Sequence, residues 1–510
     1  MNNLIAACRH AQTADEIQEA ARMLDDTIFR TSKLGDISEL LIHVIQPLLN
    51  EDRHEPVLLF HAYGWQFGGA ERLIAGLTNY LTRKKYRILL TVFEPIRDVG
   101  FKLDSSIVFI PIRDADRRIE RLIKLASLLS PDLFIGHNNS IPELAAVYPV
   151  LRNSGIRTIA YTLEYYFFPH RMPELASSVI ARNEAMAQAN AACFLTRFSA
   201  SAYGMAYPNA AIMQGISSFS VPDHRSDKRS GKTVIAVGRF TDPIKRLDRV
   251  LFAFHHLLQS HPDARLLIVG PYDLEARIPR QAKETIGELL ARTRISDSQI
   301  QFVGEQEKTQ DFYNQGDVFV LTSNSEGFPL VLGEAGSYGL PAVIVDIPGL
   351  EDIIAHGENG FIVPQDDMRA MAESISTLFD DAELLKRMSR NARAMVGRYS
   401  IDHVGPRWEQ LIQIVLSESD QEEINRILAE RFMGEVENKK AFLRTIVKEY
   451  EQTAALIAAV PKVRTARMQM DEIETIAVKL VNHVRDYGLR ATISKATSKL
   501  RGRWQRRFRR

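Results

Sequence analysis

Two glutamates eight positions apart, Glu326 and Glu334, lie in the stretch SNSEGFPLVLGEAGSYGLP (323–341), just after an apolar run that ends near Thr322. The pattern predicts a buried strand, then a polar loop holding Glu326 and Gly327, then a helix starting near Pro329 with Glu334 about a turn inside it. Proline suits a first helical turn, where its missing N–H would be unpaired anyway. The free N–H groups of such a helix start can hold a phosphate. Carboxylates beside an anion site are useful only if the ligand also presents hydroxyls, as ribose and sugar rings do. The competing reading has Glu326 capping the helix and Glu334 in solvent.

A second stretch, AVGRFTDPIKRLD (236–248), places Arg239 and Lys245 on a loop between a strand and an amphipathic helix. A planar guanidinium fork and a point-charge ammonium together suit a diphosphate, although two surface cations on a turn would look the same. Gly68 and Gly69, in HAYGWQFGGAERLI (61–74), join another strand to its helix and would let a ligand approach the backbone closely. His137 closes the run DLFIGH and could bond a hydroxyl or phosphate, or be structural; Arg171 in EYYFFPHRMPE is a weaker candidate. There is no G-x-G-x-x-G fingerprint and no P-loop.

The elements that must position these residues come in two series. Short apolar runs alternate with amphipathic stretches at 57–62, 87–94, 107–112, 132–137, 157–163 and 192–196, and again at 233–238, 265–270, 300–304, 318–323, 342–346 and 361–364. Runs apolar throughout imply burial on both faces, hence parallel sheets covered by helices. Leu247, Val250, Leu251, Phe254, Leu257 and Leu258 fall at the spacing of a helix lying on a sheet. Ligands of such sheets bind beyond the strands' carboxyl ends, so two domains facing each other would form a cleft. The expected organisation is a helical extension (1–54), a first α/β domain (55–219), a polar linker (220–232), a second α/β domain (233–400), a crossover helix (401–416), a helical extension (417–494) and a basic tail (495–510).

Composition narrows the function classes. The 510 residues are too many for one core, and 45% hydrophobic with 25% charged residues is an ordinary globular balance. Lys+Arg 64 against Asp+Glu 63 leaves +1, so no overall field draws the chain to nucleic acid or membrane. Two cysteines, Cys8 and Cys193, exclude a disulfide framework. The N-terminal residues mix charge into their apolar positions and no run approaches the roughly 20 residues of a membrane span, which predicts a cytoplasmic protein. In the tail, Trp504 and Phe508 interleave with six arginines, a pattern that suits an anionic membrane surface, a solubilising tail or nucleic acid.

Taken in order, G-G-A-E-R (68–72), a His after the fourth strand, G-R-F-x-x-x-x-K (238–245), L-L-I-V-G (266–270), E-G-F-P-L-V-L-G-E (326–334), G-L-P-A-V (339–343) and E-N-G-F-I-V-P (358–364) resemble a retaining GT-B glycosyltransferase of the family 4 type. The resemblance covers about 55–416 and is strongest in the second domain. It implies an α/β fold of the GT-B class, two Rossmann-like domains facing a cleft, and sugar transfer from a nucleoside-diphosphate sugar to a hydroxyl acceptor, as in bacterial surface glycan or glycolipid synthesis. It implies that Arg239 and Lys245 neutralise the diphosphate, that Glu334 binds the ribose, and that Glu326 contacts the donor sugar or steadies charge at its anomeric carbon. It places Gly68, Gly69, Gly327, Phe328, Pro329 and Leu330 around the donor and His137 near the sugar or acceptor. It also implies no cofactor and no required metal. The expected partners are a nucleotide sugar, a glycan or lipid-linked acceptor and, through 495–510, the inner face of a membrane; no nucleic acid is expected, and oligomers remain open. The usual glycine pair before the downstream glutamate is P-G-L-E (348–351) here. A nucleotide-sugar epimerase or phosphorylase of the same fold, and a non-catalytic partner subunit, are the alternatives.

Overall fold

The fold was described from a computed structural model, which covers residues 55–65, 68–93, 102–112, 117–137, 144, 146–164, 179–215, 231–278, 284–306, 308–434, 442–446, 448 and 449. The expected helical extension at 1–54, most of the 220–232 linker, Arg171, the stretch beyond 449 and the basic tail lie outside them. The chain divides into two compact units: unit 1 combines 1–214 with 405–510, and unit 2 is 215–404.

Unit 1 is built on strands β1 (Val57–Ala62), β2 (Arg87–Phe93), β3 (Val108–Ile112), β4 (Leu133–His137), β5 (Arg157–Thr162), β6 (Ala191–Phe194) and β7 (Ala210–Ile212). They pair in the order β3-β2-β1-β4-β5-β6-β7, every pair parallel. Helices α1 (Gly69–Thr82), α2 (Arg118–Leu129), α3 (Val147–Asn153), α4 (Val179–Ala187) and α5 (Arg197–Gly204) connect them. Strand β1 shows why the apolar runs were legible: Leu58 to Ala62 are all buried, since helices cover both faces of a parallel sheet.

Unit 2 carries β8 (Thr233–Val237), α6 (Leu247–Leu257), β9 (Arg265–Val269), α7 (Ile286–Thr293), β10 (Ile300–Gly304), α8 (Gln310–Tyr313), β11 (Val318–Leu321), α9 (Leu330–Ser337), β12 (Ala342–Val345), β13 (Gly360–Val363), α10 (Met368–Asp380) and α11 (Ala382–Gly397). Its sheet is again parallel, in the order β10-β9-β8-β11-β12-β13. Both orders reverse direction beside the first strand, the switch point at which such sheets bind ligands. The architecture is GT-B, two Rossmann-like units in series, as the resemblance implied.

The chain then returns to unit 1. Helix α12 (Ile401–Ser417) buries Trp408 edge-on against Tyr161 of β5, with ring centroids 4.7 Å apart. Gly405 lets α12 lie directly on α1, because a Cβ there would come within 2.5 Å of the Tyr80 ring. Tyr80 in turn bonds Glu409, which also pairs with Lys84 at 3.4 Å. Helix α13 (Gln421–Arg431) leads to Phe432, whose carbonyl accepts the Ile212 N–H at 3.0 Å and so occupies the edge of β7. Further on, Phe442 packs on Phe198 of α5, and Ile446 is 1% exposed within the unit 1 core. Among the described residues no helix is long and apolar enough to cross a membrane.

Candidate functional site

The carboxyl ends of the unit 2 strands carry the predicted cations and carboxylates. After β8 the chain passes Gly238 and exposed Arg239 and makes a single 3-10 turn, Pro243–Lys245, whose start is capped by Asp242 accepting from the Ile244 N–H at 2.9 Å. After β11 it passes Thr322, Ser323 and Asn324 to Glu326. The two loops are stitched together: the Asn324 N–H donates to the Ile244 carbonyl at 2.8 Å, and Thr322 Oγ1 donates to the Lys245 and Arg246 carbonyls, each at 3.1 Å. Lys245 Nζ thereby reaches Glu326 Oε1 at 2.7 Å, with both side chains partly exposed.

Helix α9 begins one residue later than expected. Pro329 is its N-cap rather than its first residue, and no side chain caps it. Glu326 is therefore not a helix cap; its partner is Lys245. Glu334 is not in solvent either. It is 4% exposed, and Tyr313 at the end of α8 donates its hydroxyl to Glu334 Oε2 at 2.6 Å. Tyr313 stacks on Tyr338 at 5.7 Å, which fixes the ring. Phe328 packs its ring edge-on against Tyr399 at 5.2 Å, so it anchors the loop, with Gly327 before it and the buried Pro329 and half-buried Leu330 after it. In P-G-L-E, Gly349 takes φ +98° and its N–H donates to Glu351 Oε2 at 2.6 Å. Burial raises the Glu351 carboxyl above its usual range.

Several contributors escaped the sequence reading because each is ordinary alone. Arg246, between Lys245 and α6, is buried at φ +53° and forks onto Asp248. Arg249 reaches the Thr322 carbonyl at 3.1 Å and Asp366 at 2.6 Å, and desolvation lowers its pKa. Tyr313 could have been found only by knowing that α8 ends beside α9.

In unit 1, His137 sits at the carboxyl end of β4, buried, and neither ring nitrogen has a partner among the described residues. Burial pushes its pKa down to about 3. His61, at the same end of adjacent β1, is also pushed down to about 3, by burial and then by His137. Thr91 Oγ1 donates to the Phe60 carbonyl and lies 3.0 Å from His61 Nδ1, so Nδ1 carries the proton and Nε2 is a bare acceptor. Gly68 is the extended N-cap of α1 and Gly69 its exposed first residue; a Cβ on Gly68 would meet the Glu71 carboxylate.

Residues 222–395, which include these unit 2 groups apart from Tyr399, match the family described as Glycosyl transferases group 1. Unit 2 is a group 1 glycosyltransferase domain. Over 204 residues the chain is 33% identical to an exopolysaccharide phosphotransferase of Streptomyces coelicolor, covering 40% of this chain and 20% of that protein. It is 30% identical over 167 residues to the N-acetyl-α-D-glucosaminyl L-malate synthase of Bacillus anthracis, covering 33% and 41%. It is 29% identical over 172 residues to a phosphatidyl-myo-inositol mannosyltransferase of Mycolicibacterium smegmatis, covering 34% and 42%. The first curated relatives are matched over 20% to 56% of their own length. Beyond the group 1 domain, the fold is shared with Anabaena HepE, solved with UDP and glucose (TM-score 0.59, 16% identity, 70% of this chain and 100% of that one). It is also shared with the sucrose-phosphate synthase of Thermosynechococcus elongatus (TM-score 0.59, 16% identity, 71% and 100%).

Proposed function

We propose that the protein transfers a sugar, with retention at the anomeric carbon, from a nucleoside-diphosphate sugar to a hydroxyl acceptor in the synthesis of a surface polysaccharide or glycolipid. The observation that carries this reading is the Lys245–Glu326 pair at the start of α9, with Glu334 buried behind it. A cation, a carboxylate and a row of helix N–H groups at one sheet edge can hold both a diphosphate and the hydroxyls attached to it. The relatives' names point the same way, to polysaccharide and glycolipid assembly.

Bond breaking puts negative charge on the departing phosphate. Lys245, Arg239 and the α9 N–H groups stabilise that charge most when it is fully developed, so they lower the barrier rather than only tightening binding. Glu326 gives up Lys245 to the phosphate and becomes available to the donor sugar. Glu334, held by Tyr313, accepts the ribose hydroxyls. His137 offers unpartnered ring nitrogens to a hydroxyl, and Gly69 a close backbone approach. The cations supply the positive charge that a metal would otherwise bring, so a chelator should leave turnover unchanged. The acceptor is a glycan or membrane lipid, reached from the cytoplasmic face with help from the basic residues of 495–510.

The test is a thermal-shift screen of nucleotide sugars followed by turnover with the stabilising donor, since a ligand that binds only the folded state raises its stability. Lys245→Ala should slow turnover about 10²-fold, on the precedent of removing one oxyanion donor. Near-wild-type turnover in that variant would refute the scheme.

A further inference from the structure

The turn that delivers Lys245 ends on a residue in an unfavourable conformation. Arg246 has φ +53° and ψ +59°, left-handed backbone that glycine adopts freely and other side chains resist. What holds it there is its own side chain. The guanidinium is buried, with Nε 2.9 Å from Asp248 Oδ1 and Nη2 2.8 Å from Asp248 Oδ2, while Nη1 donates to Asn324 Oδ1 at 3.1 Å. Asp248 is itself 3% exposed, so the pair is shielded from water and competing ions. One planar fork therefore grips the first turn of α6 and the loop that carries Glu326 two residues later. A lysine could not do this, because its ammonium is a single point.

We infer that Arg246 is a positioning residue for the diphosphate site: its fork onto Asp248 and Asn324 locks the left-handed turn that aims Lys245, and holds the Glu326 loop at the matching place. The inference rests on the proposed donor site, and the mechanism above gives Arg246 no contact with the donor. Glycine at 246 would keep the backbone and lose the lock. Arg246→Gly therefore separates the guanidinium's contribution from the strain of the turn.

The experiment is a double-mutant cycle on binding of inorganic pyrophosphate and of UDP by the full chain, measured by calorimetry for wild type, Arg246→Gly, Lys245→Ala and the double variant. Arg246→Gly should weaken pyrophosphate about tenfold, within the span seen for coupled contacting residues. In the Lys245→Ala background the same change should cost less than about twofold, because the group it aims is gone. Asp248→Asn, read in the same cycle, should repeat the pattern and serves if the glycine variant does not fold. Wild-type affinity in both Arg246→Gly and Asp248→Asn overturns the inference. So does a loss of equal size in both Lys245 backgrounds, the mark of a structural role. If Lys245→Ala binds pyrophosphate as wild type does, the proposed donor site falls and takes the inference with it.

Discussion

Acid should unfold unit 1 through two residues, His61 and His137. Both are buried and neutral, each pushed from 6.5 down to about 3, mainly by desolvation. In the unfolded chain each titrates near 6.5, so between about pH 6.5 and 3 the unfolded state binds the extra protons. Stability is complete above that range and is lost as pH falls through it. At pH 5 each histidine is 1.5 pH units below its unfolded pKa, and at 1.36 kcal/mol per unit the loss is about 2 kcal/mol each, about 4 for both. Geometry supports the direction: protonation of His61 would place an N–H at Nε2, where no acceptor exists among the described residues, and His137 has none at either nitrogen. Trp65 and Trp408 are buried in unit 1 and the sequence of unit 2 has no tryptophan, so the change in tryptophan fluorescence in a urea titration follows unit 1. Wild type, His61→Gln and His137→Gln should be compared at pH 7.5 and 5.0. Each variant should lose about 2 kcal/mol less than wild type over that interval, other titrating groups cancelling in the difference. Equal acid sensitivity in all three proteins would refute the assignment.

Two further outcomes follow from single contacts. Tyr313→Phe leaves the buried Glu334 carboxylate one donor short, so UDP affinity should fall about tenfold or more by calorimetry, from the lower end of the worth of a hydrogen bond to a charged group upward. Pyrophosphate, which has no ribose, should bind as before. Ile446→Ala removes a fully buried side chain and should destabilise unit 1 by about 2–4 kcal/mol in the fluorescence titration; an unchanged midpoint would mean that the 442–446 segment does not belong to the unit 1 core.

Twelve of the thirteen strands were legible as apolar runs, most of them because burial on both faces leaves no polar alternation to confuse them; the edge strands β10 and β13 are only partly buried. The exception is β7, three residues of Ala210–Ile212 that carry too little pattern to register. Helix α9 was legible, but its first residue was not, since proline serves equally as N-cap or first helical residue. The Lys245–Glu326 meeting could be guessed from sheet topology, because β8 and β11 are adjacent though the two residues are 81 apart in sequence. The Arg246–Asp248–Asn324 lock could not. An arginine followed by an aspartate two positions later is common on any helix start, and only the left-handed turn makes the pair significant. The edge cover of β7 was equally hidden, since the carbonyl that provides it comes from Phe432, far along the chain.

That edge cover has a consequence for how the protein is made. Unit 2 is one uninterrupted stretch, whereas the sheet of unit 1 waits for α12, α13 and Ile446 to finish it. On the ribosome, where chains emerge from the N-terminus and domains fold as units, the later-encoded lobe can reach its native state before the earlier one. Through that interval the Ala210–Ile212 strand is an open template for a neighbouring nascent chain. Early termination near residue 417 would leave it so permanently, and the aggregated product would still contain a folded unit 2.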